Sequence, residues 1–293
     1  MTTPVDRGRF DFNVSSELLS AAPFDADILW RDSAGDNVLW LMNSNTASTQ
    51  AALPFVTPDW HVKAAADFDP ISGGNADILW RNDNGALVLW QMNGIAVTAV
   101  HELPNPGPTW HVVGDNDFDG LSFGISGTTG GDDILFQNDN GALALWTGIN
   151  SATGAVEHML AGTQNPGPTW HVVGTGDTDG LPGMLPTAGI LWQNNNGALV
   201  LWENPTFAAG TFTFNTVANL PTVDPSWHVK GMADLNADGR SDVVFQNDNG
   251  AVAVWEMGGI AGTGVAAMNL ININPGPAWH VVDRKSTRLN SSH

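Results

Sequence analysis

Short apolar runs alternate with polar, glycine-containing turns along most of the chain. Residues 227–258 show the pattern: the run WHVKG, a stretch rich in Asp, Asn and Gly, the run DVVFQ, the turn NDNG and the run AVAVWEM. Short runs of β-branched and aromatic residues predict strands. Asn and Gly tolerate the positive φ that tight hairpins need, so NDNG between two apolar runs predicts a hairpin. Each such segment therefore predicts one strand, a polar loop and a β-hairpin.

Apolar residues occupy both faces of these predicted strands. Along residues 86–91, Ala86, Val88 and Trp90 fall on one face, and Leu87 and Leu89 fall on the other. Because side chains alternate across a strand, apolar residues on both faces predict that other parts of the protein cover both. The strands therefore belong to sheets that pack against further sheets.

This pattern is repeated five times, and the tryptophans mark it most clearly. All thirteen tryptophans fall in three places of the unit: WHV (Trp60, Trp110, Trp170, Trp227, Trp279), ILW (Trp30, Trp80, Trp192, with Phe136 and Phe245 in the same place) and LW or VW (Trp40, Trp90, Trp146, Trp202, Trp255). The hairpin turn recurs as NDNG, NNNG or DSAG at residues 32–35, 82–85, 138–141 and 194–197. A period of about 50 to 60 residues is typical of solenoids, propellers and arrays.

The repeats predict an all-β fold, specifically a β-propeller of five four-stranded repeats. Each unit has three clear strands and a weaker fourth, such as AVTAVHEL before Pro104, and propeller blades are four-stranded sheets around a channel. Helical periodicity is not sustained anywhere, and 33 Gly and 17 Pro interrupt the chain. A parallel β-helix is the alternative, although its coils are shorter and lack tight hairpins.

Two ways of completing the propeller are open. The first ILW strand, at Ile28, has no WHV strand ahead of it, so the final WHV strand at Trp279 could complete the first repeat and close the ring. Alternatively, the chain is part of a larger propeller. We predict an N-terminal lead-in over residues 1–24, the propeller over residues 25–282 and a non-native tail over residues 283–293. The tail, DRKSTRLNSSH, resembles read-through translation of a sequencing adapter; a native disordered tail is the alternative.

Charge and composition restrict the partners. Thirty Asp and Glu against ten Lys and Arg give a formal net charge of −20, which opposes binding to nucleic-acid phosphates or anionic lipid and makes a cation partner plausible. No apolar run approaches the ~20 residues of a membrane helix, so membrane insertion is not expected. Cysteine is absent, which excludes disulfides and thiol catalysis. The sequence MTTPVDRGRFDF lacks the features of a secretory signal, so it does not predict export by that route.

One polar loop has the spacing of a calcium site. Oxygen-bearing side chains stand at its first, third, fifth and ninth positions, Gly239 stands at the sixth, and a backbone carbonyl is offered at the seventh: Asp234, Asn236, Asp238, Asp242 and Arg240. Calcium takes six to eight oxygen ligands, so this spacing predicts a Ca²⁺ site. The loop is not an EF-hand, because Phe245 occupies the twelfth position. The alternative is an Asx-rich turn without an ion.

Sister loops keep part of this ligand set. The first, third and last ligands correspond to Asp67, Asp69 and Asp77 in the second unit, and to Asp117, Asp119 and Asp133 in the third. The fourth unit keeps Asp177 and Asp179 but has Gly189 in the last place, so we expect it to have lost its ion.

The repeats resemble the FG-GAP or VCBS-type repeat proteins of bacteria, which are related to the blades of integrin α-subunit heads and of a fungal propeller lectin. The motifs that carry this resemblance are NPGPTWHVVG at residues 105–114 and 165–174, the loop beginning at Asp234, and DILWRNDNGALVLWQMNG from Asp77. The resemblance implies a calcium-stabilised propeller, extracellular or on the bacterial surface, that serves as an adhesion or glycan-binding module. The chain departs from the pattern in having one complete ligand loop, and five repeats where relatives commonly have seven.

Three function classes stay open. The leading hypothesis is glycan binding or adhesion, with a glycan or a cell-surface protein as partner. The second is a structural or protein-interaction propeller without glycan binding, and the third is a polysaccharide-acting enzyme domain. No repeat carries a nucleophile and base that its sisters lack, so catalysis is not expected.

The repeated histidines and tryptophans have a structural interpretation. One histidine per unit predicts the same hydrogen bond in each, rather than a zinc site, which needs three or four converging ligands. These histidines are His61, His111, His171, His228 and His280. Most tryptophans should be core. We expect a ligand site to lie in the non-repeating loops at residues 121–131, 147–162 and 204–219.

Overall fold

The fold comes from a computed structural model. It describes residues 13–15, 27–43, 46–68, 76–119, 131–150, 153–178, 188–258, 264–279, 281 and 285–286. All regular secondary structure in these residues is β-strand, as the sequence predicts. Within the same residues there is no helix of the length and hydropathy that a membrane crossing requires.

Strands β1–β12 form the first three repeats, four strands in each. Repeat 1 contains β1 (Asn13–Ser15), β2 (Asp27–Arg31), β3 (Asn37–Asn43) and β4 (Thr46–Leu53). Repeat 2 contains β5 (Trp60–Ala66), β6 (Asp77–Asn82), β7 (Leu87–Asn93) and β8 (Ala96–Leu103). Repeat 3 contains β9 (Trp110–Asn116), β10 (Asp133–Asn138), β11 (Leu143–Asn150) and β12 (Ala155–Gly162).

Strands β13–β20 form two further repeats, and one short strand follows them. Repeat 4 contains β13 (Trp170–Gly176), β14 (Gly189–Asn194), β15 (Leu199–Ala208) and β16 (Thr211–Leu220). Repeat 5 contains β17 (Trp227–Ala233), β18 (Asp242–Asn247), β19 (Val252–Gly258) and β20 (Gly264–Leu270). Strand β21 covers Lys285–Ser286.

Each repeat is a meander of antiparallel strands in sequence order. The hairpin predicted at NDNG joins the second strand to the third; in repeat 2, Trp80 lies opposite Val88 and Arg81 opposite Leu87. A register shift interrupts the pairing of the first two strands in each of repeats 2 to 5, at the same place after the WHV motif. A bulge of this kind increases the local twist of the first strand of the repeat.

The hydrophobic core lies between consecutive repeats rather than inside one. We call the side of a sheet that packs on the next repeat its forward face, and the opposite side its rear face. Between repeats 3 and 4, the forward face supplies Leu135, Leu143 and Leu145, and the rear face supplies Ile190, Trp192 and Trp202. Equivalent clusters join repeats 1 and 2, 2 and 3, and 4 and 5. This explains why both faces of the strands are apolar in the sequence.

The core prediction holds for six of the thirteen tryptophans, which are buried: Trp80, Trp90, Trp146, Trp192, Trp202 and Trp255. The aromatic ring of the ILW place packs on the tryptophan of the following strand in every repeat, with ring centroids 4.6–4.9 Å apart. The pair is buried in repeat 4, where Trp192 and Trp202 are 1% and 8% exposed. Since a sheet-on-sheet core with these meanders is propeller-like, the coarse fold prediction is confirmed.

The first strands of consecutive repeats contact one another, so we call them the innermost strands. Strand β13 contacts both β9 and β17, and β5 contacts both β1 and β9. Strand β21 pairs in parallel with β17, with Met232 opposite Lys285, and it also contacts β1. Residues of the predicted tail therefore hold a place next to the innermost strand of repeat 5.

The structure does not place the final WHV segment in repeat 1. Strand β1, which lies in the predicted lead-in, pairs antiparallel with β2, with Val14 opposite Ile28. The position reserved for the Trp279 strand is therefore taken by Asn13–Ser15. The difference is explained by closeness in sequence, because β1 precedes β2 in the chain and can pair with the edge of β2 without a long connection.

Two segments expected to be loops are strand extensions. Residues 147–150 are the end of β11 and residues 155–162 are β12, and residues 204–219 form most of a long β15–β16 hairpin. The tip of that hairpin pairs in parallel with β12, with Ala161 opposite Thr211, and joins repeats 3 and 4 into one eight-stranded sheet. Phe212 and Phe214 on this hairpin are buried at the boundary, so packing outweighs their polar neighbours. Residues 121–130 of the remaining loop lie outside the described residues.

Candidate functional site

Three carboxylates of repeat 3 converge where its first strand ends and its second begins. Asp117 and Asp119 follow β9, and Asp133 is the first residue of β10. Each offers a carboxylate oxygen, and these oxygens lie within 4.8 Å of one another. Among the described residues this is the group of acidic side chains gathered tightly enough to hold a metal ion.

Asp133 is the buried member of the group, with 1% of its surface exposed. Its Oδ2 accepts the backbone N–H of Phe118 at 2.9 Å and of Asp119 at 3.3 Å. Burial raises the pKa of Asp133 well above its usual range, the carboxylates of Asp119 and Asp117 raise it further, and the Phe118 N–H opposes them. A bound cation would relieve this repulsion.

The donor set fits a hard divalent cation such as Ca²⁺. Calcium prefers carboxylate oxygens and completes its shell with carbonyls and water. Asp117 and Asp119 are only partly buried, so water can reach the group. Asp117, Asp119 and Asp133 are the residues that would hold the ion.

This loop is also fixed by the next repeat. The N–H of Ala188 in repeat 4 donates to the carbonyl oxygen of Asp117 at 3.0 Å. Equivalent bonds run from Asp132 to Asp67 at 2.8 Å and from Ser241 to Asp177 at 2.6 Å. The first residue of each of these three loops is therefore held at a repeat boundary.

The loop at Asp234, which carries the most complete motif, has a different geometry. Its oxygens accept amides of the loop itself: Asp238 N–H donates to Asp234 Oδ1 at 3.1 Å and to Asn236 Oδ1 at 2.9 Å. Arg240 N–H donates to Asp238 Oδ1 at 2.9 Å, and the Arg240 guanidinium lies 3.8 Å from Asp238 Oδ2. These contacts describe an Asx-rich turn.

Asp242 is the buried carboxylate of the same loop, with 0% of its surface exposed. Its two oxygens accept the N–H groups of Met257 at 3.0 Å and of Leu235 at 3.1 Å. Burial raises the pKa of Asp242, Asp238 and Asp234 add to the rise, and the two amides oppose it. Calcium at this loop stays a prediction.

The predicted ligands of repeats 2 and 4 are described only in part. In repeat 2, Asp77 is buried and accepts the N–H of Met92 at 2.9 Å, Asp67 is half-buried, and Asp69 lies outside the described residues. In repeat 4, Gly189 leaves room that the side chain of Glu203 takes. The Glu203 carboxylate is buried and accepts the hydroxyl of Thr178. In the sequence, the only sign that Glu203 replaces the missing aspartate is that it directly follows Trp202.

A second kind of site lies at the repeat boundaries. A pocket of about 270 Å³ between repeats 3 and 4 and one of about 340 Å³ between repeats 4 and 5 are lined by the same residue types. Both contain two histidines, the Gln that precedes a hairpin turn, the first two residues of that turn, a proline and valines: His111, Val113, Gln137, Asn138, Asp139, Pro168, His171 and Val172 in the first, and His171, Val173, Gln193, Asn194, Asn195, Pro225, His228 and Val229 in the second.

The histidines make the recurrent hydrogen bond that the sequence predicts. Each WHV histidine pairs through Nε2 with the second residue of the hairpin turn in its own repeat. In repeats 2, 3 and 5 the partner is an aspartate, at 2.7–2.8 Å; in repeat 4 it is Asn195, at 2.9 Å. His280 lies outside the described residues. The pairs are exposed, so they present both donors and acceptors to the pocket.

The back of each pocket is a link between repeats. Gln137 Nε2 donates to the carbonyl of Trp170 at 2.7 Å, and its Oε1 accepts the N–H of Val172 at 3.0 Å. Gln193 and Gln246 bind the following WHV segments in the same way, at Trp227 and Trp279. This link, which we call the glutamine clamp, fixes the pocket walls.

Sequence reasoning noticed the motifs that form these pockets but not that they meet. The turn NDNG of one repeat and the segment NPGPTWHV of the next lie next to each other: a Cβ added at Gly141 would lie 2.5 Å from the carbonyl carbon of Gly167. The signal available in the sequence was that both motifs recur with the same period.

No family model matches this chain, and no curated protein matches its sequence. Among solved structures, the chain is similar to the crystal structure of AofleA from Arthrobotrys oligospora, with a TM-score of 0.53 and 12% sequence identity. The superposition covers 91% of this chain and 73% of AofleA. At this identity the similarity concerns the fold, and it agrees with the all-β, propeller-like arrangement.

Proposed function

We propose that the chain is an extracellular or surface-exposed β-propeller, stabilised by calcium, that binds glycans in the pockets between its repeats. The observation that carries the proposal is the recurrence of one polar pocket at two consecutive boundaries. The resemblance to FG-GAP and VCBS-type repeats supports the location and the calcium dependence.

The chemistry of the pockets suits a sugar unit. Their volumes lie at the small end of ligand pockets, which favours a ligand of that size. Sugar hydroxyls both donate and accept hydrogen bonds, and Asp139, His111 and Asn138 offer both functions. Pro168 and Val172 provide an apolar surface for the C–H face of a sugar ring. The predominance of carboxylates over cations disfavours an acidic sugar.

The presence of several equivalent pockets compensates for weak binding at each one. A single small polar site binds weakly, because the ligand exchanges hydrogen bonds to water for hydrogen bonds to protein. Several equivalent sites on one rigid body convert later contacts into intramolecular ones and raise avidity by about 10² to 10⁴. The natural partner is therefore a surface that displays the same glycan many times, and binding requires no catalysis.

A glycan array, followed by titration of the hits, tests the proposal. The double variant Asp139→Ala and Asn195→Ala removes the turn partner of the histidine from both pockets and should weaken binding at least tenfold, as expected for lost polar contacts. The exposed residue Asp36, which directly follows the turn of repeat 1, provides a control: Asp36→Ala removes the same charge and should leave binding unchanged. Absence of any hit at millimolar sugar, or full binding by the double variant, contradicts the proposal.

A further inference from the structure

Four of the five forward faces are buried by the next repeat. Their leucines are at most 2% exposed, for example Leu89, Leu145 and Leu201. In repeat 5 the same places hold Val244, Val252 and Val254, which are only partly buried. The forward face of repeat 5 therefore lacks the cover that its sisters have within the described residues.

The end of the fourth strand shows the same contrast. Leu53, Leu103 and Leu220 end β4, β8 and β16 and are 6–8% exposed. In repeat 5 the residue at the same place is Ile271, whose N–H donates to the carbonyl of Val252, and it is 42% exposed. Trp279 is 69% exposed, whereas the four earlier WHV tryptophans are partly buried. These residues continue the uncovered face of repeat 5.

Repeat 1 has a matching uncovered surface on its opposite side. The rear faces of repeats 2 to 5 are buried; in repeat 2, Ile78 and Trp80 are at most 1% exposed. The corresponding Ile28, Trp30 and Trp40 of repeat 1 are only partly buried. Two apolar faces, one forward and one rear, are therefore open at the two ends of the array.

The backbone connects these two faces at the centre. The clamp of Gln246 holds Trp279 and Val281 as the start of a further repeat, with bonds of 2.7 and 3.0 Å. Strand β21 then lies beside β17 and contacts β1, which is the innermost strand of repeat 1. Strands β1, β5, β9, β13, β17 and β21 thus follow one another in six places, and in the part of the chain that the structure describes the sixth place has an inner strand only.

We propose that the ring has six places and that the gap between repeats 5 and 1 takes the hairpin and fourth strand of one further repeat of this chain's own type. The four existing boundaries identify what fills the gap, because at each of them the forward face of one repeat packs on the rear face of the next. Its rear face must supply an Ile-and-Trp surface to the valines of repeat 5, and its forward face must supply leucines to Trp30 and Trp40. A repeat with the DILW, NDNG and LW motifs has both faces on one sheet. The inference is independent of glycan binding.

The test is to supply the missing strands. Residues 282–293 are replaced by a copy of residues 63–104, which continue a WHV motif in repeat 2. The extended protein should melt at least about 5 °C higher than the original chain. Peptides covering residues 28–41 and 244–257 should exchange their amide hydrogens more slowly, and a hydrophobic dye should bind less.

The matched control carries the same extension with I78S, W80S and W90S in the copied segment, and it should match the original chain. Equal melting and equal exchange in the extended protein and in this control overturn the proposal. So does a dimer of the original chain in which both faces are already protected, because a second copy then covers them.

A pair of changes keeps the test decisive if the extension folds poorly. V244S and V254S in the original chain should lower the melting temperature by less than about 2 °C, since their face is open, and in the extended protein they should cancel the gain. A large loss in the original chain would show that the face is already covered and would overturn the proposal.

Discussion

The aspartate loops of repeats 3 and 5 have related sequences and different geometries. In repeat 3, Asp117, Asp119 and Asp133 converge, although the spacing is interrupted by an insertion. In repeat 5, the uninterrupted motif folds back on itself, and its oxygens accept amides of its own loop. The repeat 3 loop is held from outside, because Ala188 of the next repeat binds the carbonyl of Asp117. The comparison shows that the ligand spacing by itself does not determine whether the carboxylates converge.

The largest expected effect concerns the forward faces of repeats 3 and 5. Leu145→Ala in repeat 3 removes a side chain buried between repeats and should cost about 2 to 5 kcal/mol of unfolding free energy. Val254→Ala, at the corresponding place in repeat 5, should cost less than about 1 kcal/mol, because that face is partly open to water already. Urea denaturation of both variants checks the contrast. Equal losses would mean that the two faces are equally covered.

Calcium should stabilise the protein mainly through the repeat 3 site. With a Kd on the order of 10⁻⁴ to 10⁻³ M, typical of extracellular modules, about 10 mM calcium adds roughly 1.4 to 2.7 kcal/mol. Asp133→Asn keeps an acceptor for the Phe118 N–H and should abolish the gain, as measured by thermal melts with and without chelator. Asp242→Asn tests the repeat 5 loop in the same way and should have the smaller effect. The reverse order would restore the loop at Asp234 as the principal site.

The pH dependence without calcium should separate the two buried carboxylates. The folded-state pKa of Asp133 is raised, so its stabilising contribution is complete below the unfolded pKa of about 3.9 and is lost as pH rises through the folded value. Asp133→Asn should therefore make calcium-free protein more stable at neutral pH and flatten this part of the profile. The pKa of Asp242 is raised less, so Asp242→Asn should flatten it less. Melting curves from pH 3.5 to 8 in chelator distinguish them.

The smallest effect is expected at Arg240. Its guanidinium lies 3.8 Å from Asp238 Oδ2, and both side chains are partly exposed, so solvent screens the pair. Arg240→Ala should change the unfolding free energy by less than about 0.5 kcal/mol and leave the calcium response unchanged. A larger loss would show that the pair holds the repeat 5 loop in its turn conformation.

Local pattern was enough to predict the repeated elements. The NDNG turns and the strands on either side of them follow from residues close in sequence, and the recurrent histidine hydrogen bond follows from the single WHV histidine of each repeat; all three are found. The location of the core between repeats follows from the apolar residues on both strand faces. These features depend on the alternation of side chains across a strand and on the residues of the turn, and both can be read from the sequence of a single repeat.

Features that depend on neighbours were not predicted. The spacing of Asp234 to Asp242 cannot show which repeat fixes a loop, and Gly189 alone cannot show that Glu203 fills its place. The strand at Asn13–Ser15 carries no tryptophan, so the repeat pattern missed it. The pockets were missed because they form from two motifs that are distant within a repeat and adjacent across a boundary.

The glutamine clamp has a consequence for how such a protein can change. Gln137, Gln193 and Gln246 bind a backbone carbonyl and a backbone N–H of the following repeat, so they are indifferent to its side chains. Arg31 and Arg81 also bind backbone carbonyls from the same place. Neighbouring units can therefore be duplicated, exchanged or altered at their rims while their mutual alignment is kept. An array joined in this way can vary its recognition surface one unit at a time.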